Sequence, residues 1–364
     1  MKKPASFSAI VLTLLLISGF FFSPKVEAES NANENFQTRP IQLGTTGANI
    51  NDISSSFCCS GTLGALVKDS SGNQFILSNN HVLAKTNKGI IGEDIIQPGL
   101  VDQTPTCFQN TGDTVANLSA FKKIKFKSGT TNTIDAAIAQ VVSGAVDPNG
   151  SILDIGQVGS SIVAPAVGMG VKKSGRTTGL TTGTIKSINL TVSITYDKRC
   201  GIGSRIALFT NQIGISPGSF SAAGDSGSLI VENVAACPRA VGLLFAGSSN
   251  ITIANPIGNV LNAFGVSMVG CSIGASQAAS PLQGLSLDSP IISSASQVKS
   301  RHEQTIMSIP GVVGVGVGLS QKARNQGVIQ VYVKKSTDEI TRSLPNQIEG
   351  IPVEIIETGE ILAF

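Results

Sequence analysis

From residue 60 onward the chain is cut into short apolar runs, each closed by a turn, and this rhythm constrains its fold more than any other feature. The stretch SGTLGALVKDSSGNQFILSNNHVLA (60–84) shows the unit: GALV and QFILS are strand-length runs, and DSSGN between them supplies the Gly and Asn that a tight turn needs. The same unit recurs in TIDAAIAQVV (133–142), GMGVKKSG (168–175), GTIKSINLTVSITY (183–196), SRIALFTNQIGIS (204–216), GSLIVEN (227–233) and AVGLLFAGS (240–248). Turn signals come about every ten residues, and no 3.6-residue period persists between them. That pattern predicts an all-β region, either a sandwich or a pair of barrels. Forty glycines fit such a turn-rich chain, and its 364 residues suffice for two or three structural units.

The termini differ from this middle. Lys2 and Lys3, the apolar run AIVLTLLLISGFFF (9–22) and Val26-Glu27-Ala28 have the three-part order of a secretory signal peptide over 1–28. Spanning a bilayer takes about 20 apolar residues, so no membrane span is expected in the mature form. Residues 29–50 are polar and read as a mobile lead-in, and the β-rich domain is placed at 51–271. Residues 272–296, rich in Ser, Ala and Pro with one charge, read as a linker. Beyond it, 297–364 reads as a separate small α+β domain. Its parts are an amphipathic helix in SASQVKSRHEQTIMSIP, the strands VVGVGVGLS and GVIQVYVKK, a capped short helix in STDEITRSLP, and a strand-like close in IPVEIIETGEILAF.

Charge excludes some partners. Twenty-six Lys and Arg against 23 Asp and Glu leave +3, too balanced for a nucleic-acid surface. The six cysteines (Cys58, Cys59, Cys107, Cys200, Cys237 and Cys271) are even in number, and export would place them in an oxidising compartment, which predicts disulfides. One histidine among them and no C-x-x-C spacing argue against zinc, and no cofactor is expected. The vicinal Cys58 and Cys59 should staple two different segments. The pairings drawn here are one of those two with Cys107, and Cys200 with Cys237.

The chemistry is carried by SAAGDSGSLIV (221–231). Ser226 sits among residues small enough to turn sharply and to admit a substrate near backbone amides. A serine hydroxyl is a weak nucleophile without a base. The chain has two histidines: His302, flanked by Arg301 and Glu303 on a solvated helix face, and His81, which follows a strand. Asp135, a charge at the start of an apolar strand, needs a buried partner. His81, Asp135 and Ser226 follow one another at gaps of 54 and 91 residues.

Together, LSNNHVLA, IDAAIA, KSGRTTGLTTG and SAAGDSGSLIV resemble the chymotrypsin/trypsin-like serine proteases, especially secreted bacterial members, over about 57–270. The resemblance implies two antiparallel β-barrels with the site between them. It implies Ser226 as nucleophile, His81 as base, Asp135 as its orienting acid, and the amides of Gly224 and Ser226 as oxyanion donors. It further implies an ion pair between Arg176 and Asp225, and a substrate pocket walled by Phe220, Leu244, Phe245, Ala246 and Gly247. GLLFAG lacks the serine that often supports the acid. Protein or peptide substrates would pair with the strand edge near 244–247. The competing reading is an idle barrel acting as a protein-binding module, and the C-terminal domain is expected to bind substrate, impose latency or be removed. Oligomeric state is not legible.

Overall fold

The computed structural model describes residues 31–272, 284–323 and 325–364. The expected signal peptide and most of the first half of the expected linker fall outside these residues. Each apolar run becomes one strand, and the strands close into two antiparallel rings, giving the mainly β, chymotrypsin-like architecture expected.

In the first ring, Thr45–Asn49 pairs with Gly61–Leu63 on one side and Asp94–Ile96 on the other. Thr114–Phe121, Ala137–Val141, Gln74–Ser78 and Ala65–Lys68 follow in order. Only Gly64 separates Ala65–Lys68 from Gly61–Leu63, so the circuit closes through it. A Cβ at Gly64 would sit 1.8 Å from the Gly227 carbonyl oxygen, so glycine there lets the first ring approach the turn that carries Ser226. The second ring runs Gly170–Gly175, Gly179–Arg199, Ile202–Ser216, Thr252–Pro256, Ala240–Gly247 and Leu229–Glu232, and closes where Val231 pairs with Lys172. Each ring is filled by its own inward-facing aliphatic side chains, Leu66, Ile76 and Ala139 in the first and Ile185, Ile215 and Leu244 in the second.

The lead-in expected over 29–50 is, from residue 31 onward, packed structure. Thr45–Asn49 is a fully buried ring strand. Buried Asn33 donates to the Gly44 carbonyl and to Ser174 Oγ, and Asn31 donates to the Arg176 and Thr177 carbonyls. Polarity misled here, because the asparagine amides are spent on backbone carbonyls rather than on water.

The α+β segment forms its expected elements, with helices Pro290–Met307 and Asp338–Ser343 and strands Val312–Leu319, Gly327–Val333 and Ile351–Glu357. The first helix starts within the 272–296 stretch, where Pro290 suits the first helical position. The segment is not the separate domain expected over 297–364: strand Val312–Leu319 pairs with Gly179–Arg199, so the sheet of the second ring runs on without a break into the C-terminal strands. This join explains GVGVG. A Cβ at Gly318 would lie 2.4 Å from the Lys186 carbonyl oxygen, whereas the alternating Val313, Val315 and Val317 are buried. Lys299 is buried under the helix, bonded to Thr191 Oγ1 on the ring strand and to Glu303.

Three disulfides form: Cys58–Cys107, Cys59–Cys200 and Cys237–Cys271. The vicinal pair does staple two segments, one within the first ring and one reaching the second-ring hairpin. The expected Cys200–Cys237 bond does not form, because Cys200 lies at the tip of the hairpin near Cys59 and Cys237 lies on the loop beside Cys271.

Candidate active site

His81 is presented by a single helical turn, Asn80–Leu83, that follows the edge of strand Gln74–Ser78. Asp135 precedes the neighbouring strand and is fully buried. Its Oδ1 accepts from the backbone amides of Asn80 and His81 at 2.8 and 3.3 Å, and its Oδ2 lies 2.6 Å from His81 Nδ1. The two asparagines of LSNNHVLA fix this turn: Asn79 donates to the Asp135 carbonyl, and Asn80 donates to Asn87 Oδ1 and the Lys122 carbonyl.

The support for Asp135 that GLLFAG lacks comes from another strand. Tyr196, buried on Gly179–Arg199, donates its hydroxyl to Asp135 Oδ2 at 2.8 Å and packs edge-on to the His81 ring. Burial, then the Asp135 carboxylate, hold this phenol well above its ordinary pKa, so it remains a donor. The sequence carried a signal for it. Tyr196 falls on the same side of its strand as buried Ile194 and Val192, and a buried phenol needs a partner.

Ser226 sits in the turn between Gly224 and Gly227, both at positive φ, 99° and 95°. A Cβ at Gly224 would lie 2.3 Å from Thr177 Oγ1, so the glycine is required by its backbone conformation and by the adjoining turn. Among the described residues the Gly224 and Ser226 amides have no hydrogen-bond acceptor. Ser226 Oγ donates to the Phe245 carbonyl at 3.1 Å, and no hydrogen bond joins it to His81.

His81 Nε2 lies 2.9 Å from the main-chain oxygen of Phe364. Leu362–Ala363 forms a strand paired antiparallel with Ala246 and Gly247, and the Phe364 amide donates to the Phe245 carbonyl at 3.4 Å. Ser226 and Phe364 thus share the Phe245 carbonyl as acceptor, while His81 meets the main-chain oxygen of Phe364 itself. Burial alone would lower the His81 pKa. The Asp135 charge and hydrogen bond, then Phe364 and Asp52, outweigh it and raise the value above that of an ordinary imidazole. Asp52 lines the same cleft with Lys85, and burial pushes its carboxyl up to about 7.

The expected Arg176–Asp225 ion pair is not formed. Arg176 pairs with Asp102, Nε to Oδ2 at 2.7 Å and Nη2 to Oδ1 at 2.5 Å, and reaches Glu34 at 3.4 Å. Asp225 instead accepts from the amides of Ala222, Thr177 and Thr178 and from Thr178 Oγ1, with Lys173 Nζ at 3.4 Å. The reason is the hairpin. Arg176 stands in its turn, where the side chain leaves the interior, whereas Lys173 points inward and is fully buried. Burial lowers the Lys173 pKa, with Asp225 opposing.

The expected pocket side chains divide. Phe220 and Leu244 belong to a buried cluster, and Phe364 packs on it from the cleft side. Phe245 is buried in another cluster with Phe209 and Tyr196, so only its backbone faces Ser226 and Phe364. Ala246 and Gly247 form the edge with which strand Leu362–Ala363 pairs. Phenylalanines flanking a catalytic phrase resemble pocket walls in sequence, but the rings of Phe220, at the end of the turn Gly218–Phe220, and of Phe245, on strand Ala240–Gly247, are both buried in the core.

A family model described as the Nal1 C-terminal domain matches residues 127–255. No curated protein matches. Among solved structures, a glutamic acid-specific serine protease that uses a histidine triad in substrate binding is 22% identical over 63% of this chain and 100% of its own, with a TM-score of 0.41. Thermobifida fusca Protease A is 19% identical over 64% of this chain and 99% of its own, with a TM-score of 0.40. Nocardiopsis protease is 17% identical over 63% and 98%, with a TM-score of 0.41.

Proposed function

We propose that the protein is an exported serine endopeptidase in which Ser226, His81 and Asp135 hydrolyse peptide bonds through an acyl-enzyme. One observation carries this reading: a buried carboxylate holds His81 Nδ1 at 2.6 Å, while Nε2 of the same ring faces the main-chain oxygen of Phe364 beside the Ser226 turn. A buried acid on one ring nitrogen leaves the other free to accept a proton from a hydroxyl.

Ser226 Oγ attacks the scissile carbonyl carbon and its proton passes to His81 Nε2. The oxyanion is received by the free amides of Gly224 and Ser226, each such donor contributing about 3 kcal/mol to the transition state. Asp135, held by two amides and Tyr196, stabilises the imidazolium. Collapse breaks the C–N bond as His81 protonates the leaving amine, and water then repeats the sequence on the ester. Three disulfides suit an oxidising compartment. Among the described residues no helix is long and apolar enough to cross a membrane.

The test is a fluorophosphonate probe read by intact mass. One adduct on Ser226, absent in His81→Ala, is expected. No adduct on folded protein, with Phe364 in place or replaced by glycine, would favour the binding-module reading.

A further inference from the structure

The last residues lie in the cleft as a substrate would. Antiparallel pairing of Leu362–Ala363 with Ala246–Gly247 and donation from the Phe364 amide to the Phe245 carbonyl are the backbone contacts by which an extended peptide adds to a sheet edge. The Phe364 ring lies over Gly247, where a Cβ would come within 2.5 Å of its Cζ, and packs on the cluster containing Phe220 and Leu244.

The preceding residues are anchored. Ile361 is buried with Tyr196 and Phe245, its carbonyl accepts from the Thr195 amide at 3.0 Å, and Glu360 accepts from Thr195 Oγ1 at 2.7 Å. Upstream, Thr358 bonds to the Val333 carbonyl and Asn250 to the Glu357 carbonyl. The C-terminal sheet, joined to the second ring through Val312–Leu319, therefore delivers this strand to a fixed place.

Its chemistry is inhibitory. Nδ1 of His81 faces the Asp135 carboxylate and Nε2 faces the main-chain oxygen of Phe364, and an acceptor on each nitrogen favours the doubly protonated ring. In that state it cannot take the Ser226 proton, and the hydroxyl is turned to Phe245 instead.

We propose that Ile361–Phe364 is a built-in pseudosubstrate that keeps the site latent, and that it marks the preferred substrate as a peptide with a large aromatic residue before the cut and a small residue preceding that. This rests on the endopeptidase reading.

The test compares the full chain with its Phe364→Gly variant. Fluorophosphonate labelling of Ser226 should be at least tenfold faster in the variant, and the freed site should cleave Leu-Ala-Phe p-nitroanilide at least tenfold better than Leu-Ala-Glu p-nitroanilide. Equal labelling rates in the two proteins would overturn latency, and equal cleavage of the two anilides would overturn the aromatic preference. A second measurement does not need catalysis: acetyl-Leu-Ala-Phe titrated calorimetrically into the Phe364→Gly, Ser226→Ala chain. Binding there, with none to the Ser226→Ala chain that keeps Phe364, supports the pseudosubstrate seat even if neither protein labels, in which case only the endopeptidase reading fails. Absence of binding to both overturns the seat.

Discussion

Tyr196 and Asp135, 61 residues apart on different rings, are joined by a 2.8 Å hydrogen bond that closes the polar environment of the carboxylate. With two backbone amides on the other oxygen, Asp135 enters the interior fully satisfied, which makes its burial tolerable. The same bond fixes the carboxylate plane against His81 Nδ1.

Tyr196→Phe removes that donor and leaves the ring packing. We expect kcat/KM on the Phe364→Gly background to fall about tenfold, equivalent to about 1.4 kcal/mol, with most of the loss in kcat. Unfolding free energy should fall by about 1.5 kcal/mol. A loss of stability with unchanged kcat would show that Tyr196 holds the fold and not the base.

Lys173 and Arg176 separate the two possible partners of Asp225. Lys173→Met leaves a fully buried carboxylate without its cation, and although three amides remain, urea unfolding should show a loss of about 3 kcal/mol. Arg176→Ala breaks the partly exposed pair with Asp102 and Glu34 and a hydrogen bond to Thr177 Oγ1, for about 1 kcal/mol. The reverse ranking would restore the pairing expected from sequence.

Asp52 gives a pH signature. Its folded carboxyl titrates at about 7 because burial disfavours the charge, against an ordinary value near 4 in the unfolded chain. As pH rises from about 4 to about 7 the unfolded state loses this proton first, so the group lowers stability over that window and no further above it. Asp52→Asn does not titrate, so its stability relative to the parent should climb between those limits and then level. Around His81, which also faces Asp135, Tyr196 and Lys85, loss of the Asp52 charge should move the acid limb of kcat/KM to lower pH. A stability difference flat from pH 4 to 8 would contradict the burial of this acid.

Gly318→Ala tests how the C-terminal sheet is joined. The new Cβ would meet the Lys186 carbonyl at 2.4 Å, a backbone atom that cannot move aside without parting the strands. Thermal unfolding should show a loss of about 2 kcal/mol. Because the same sheet delivers the tail, fluorophosphonate labelling should also accelerate, and unchanged labelling would uncouple the join from the cleft.

How legible all this was depended on the range of the interactions. Alternation and turn residues act locally, and they located most of the ring strands, the C-terminal helices and the phrases bearing His81, Asp135 and Ser226. Lys173 was legible in principle, since strand alternation in GMGVKKSG turns one of its two lysines inward. Which acid it meets depends on how the hairpin folds over the 222–228 turn. Cysteine pairing likewise rests on the positions of hairpin tips, so Cys200 found Cys59 across 141 residues and passed over the nearer Cys237. EILAF carried no motif at all. Its place follows from an unpaired strand edge at 246–247 and a sheet that ends beside it, neither of which a local pattern encodes.

The most direct measurement is the pre-steady-state burst of p-nitrophenol from a p-nitrophenyl ester of acetyl-phenylalanine, with the Phe364→Gly chain set against the same chain carrying Ser226→Ala. A burst near one equivalent of protein, followed by slower turnover, is expected, with no burst from the alanine variant. A burst that survives Ser226→Ala, or none in either folded protein, would contradict the acyl-enzyme at Ser226.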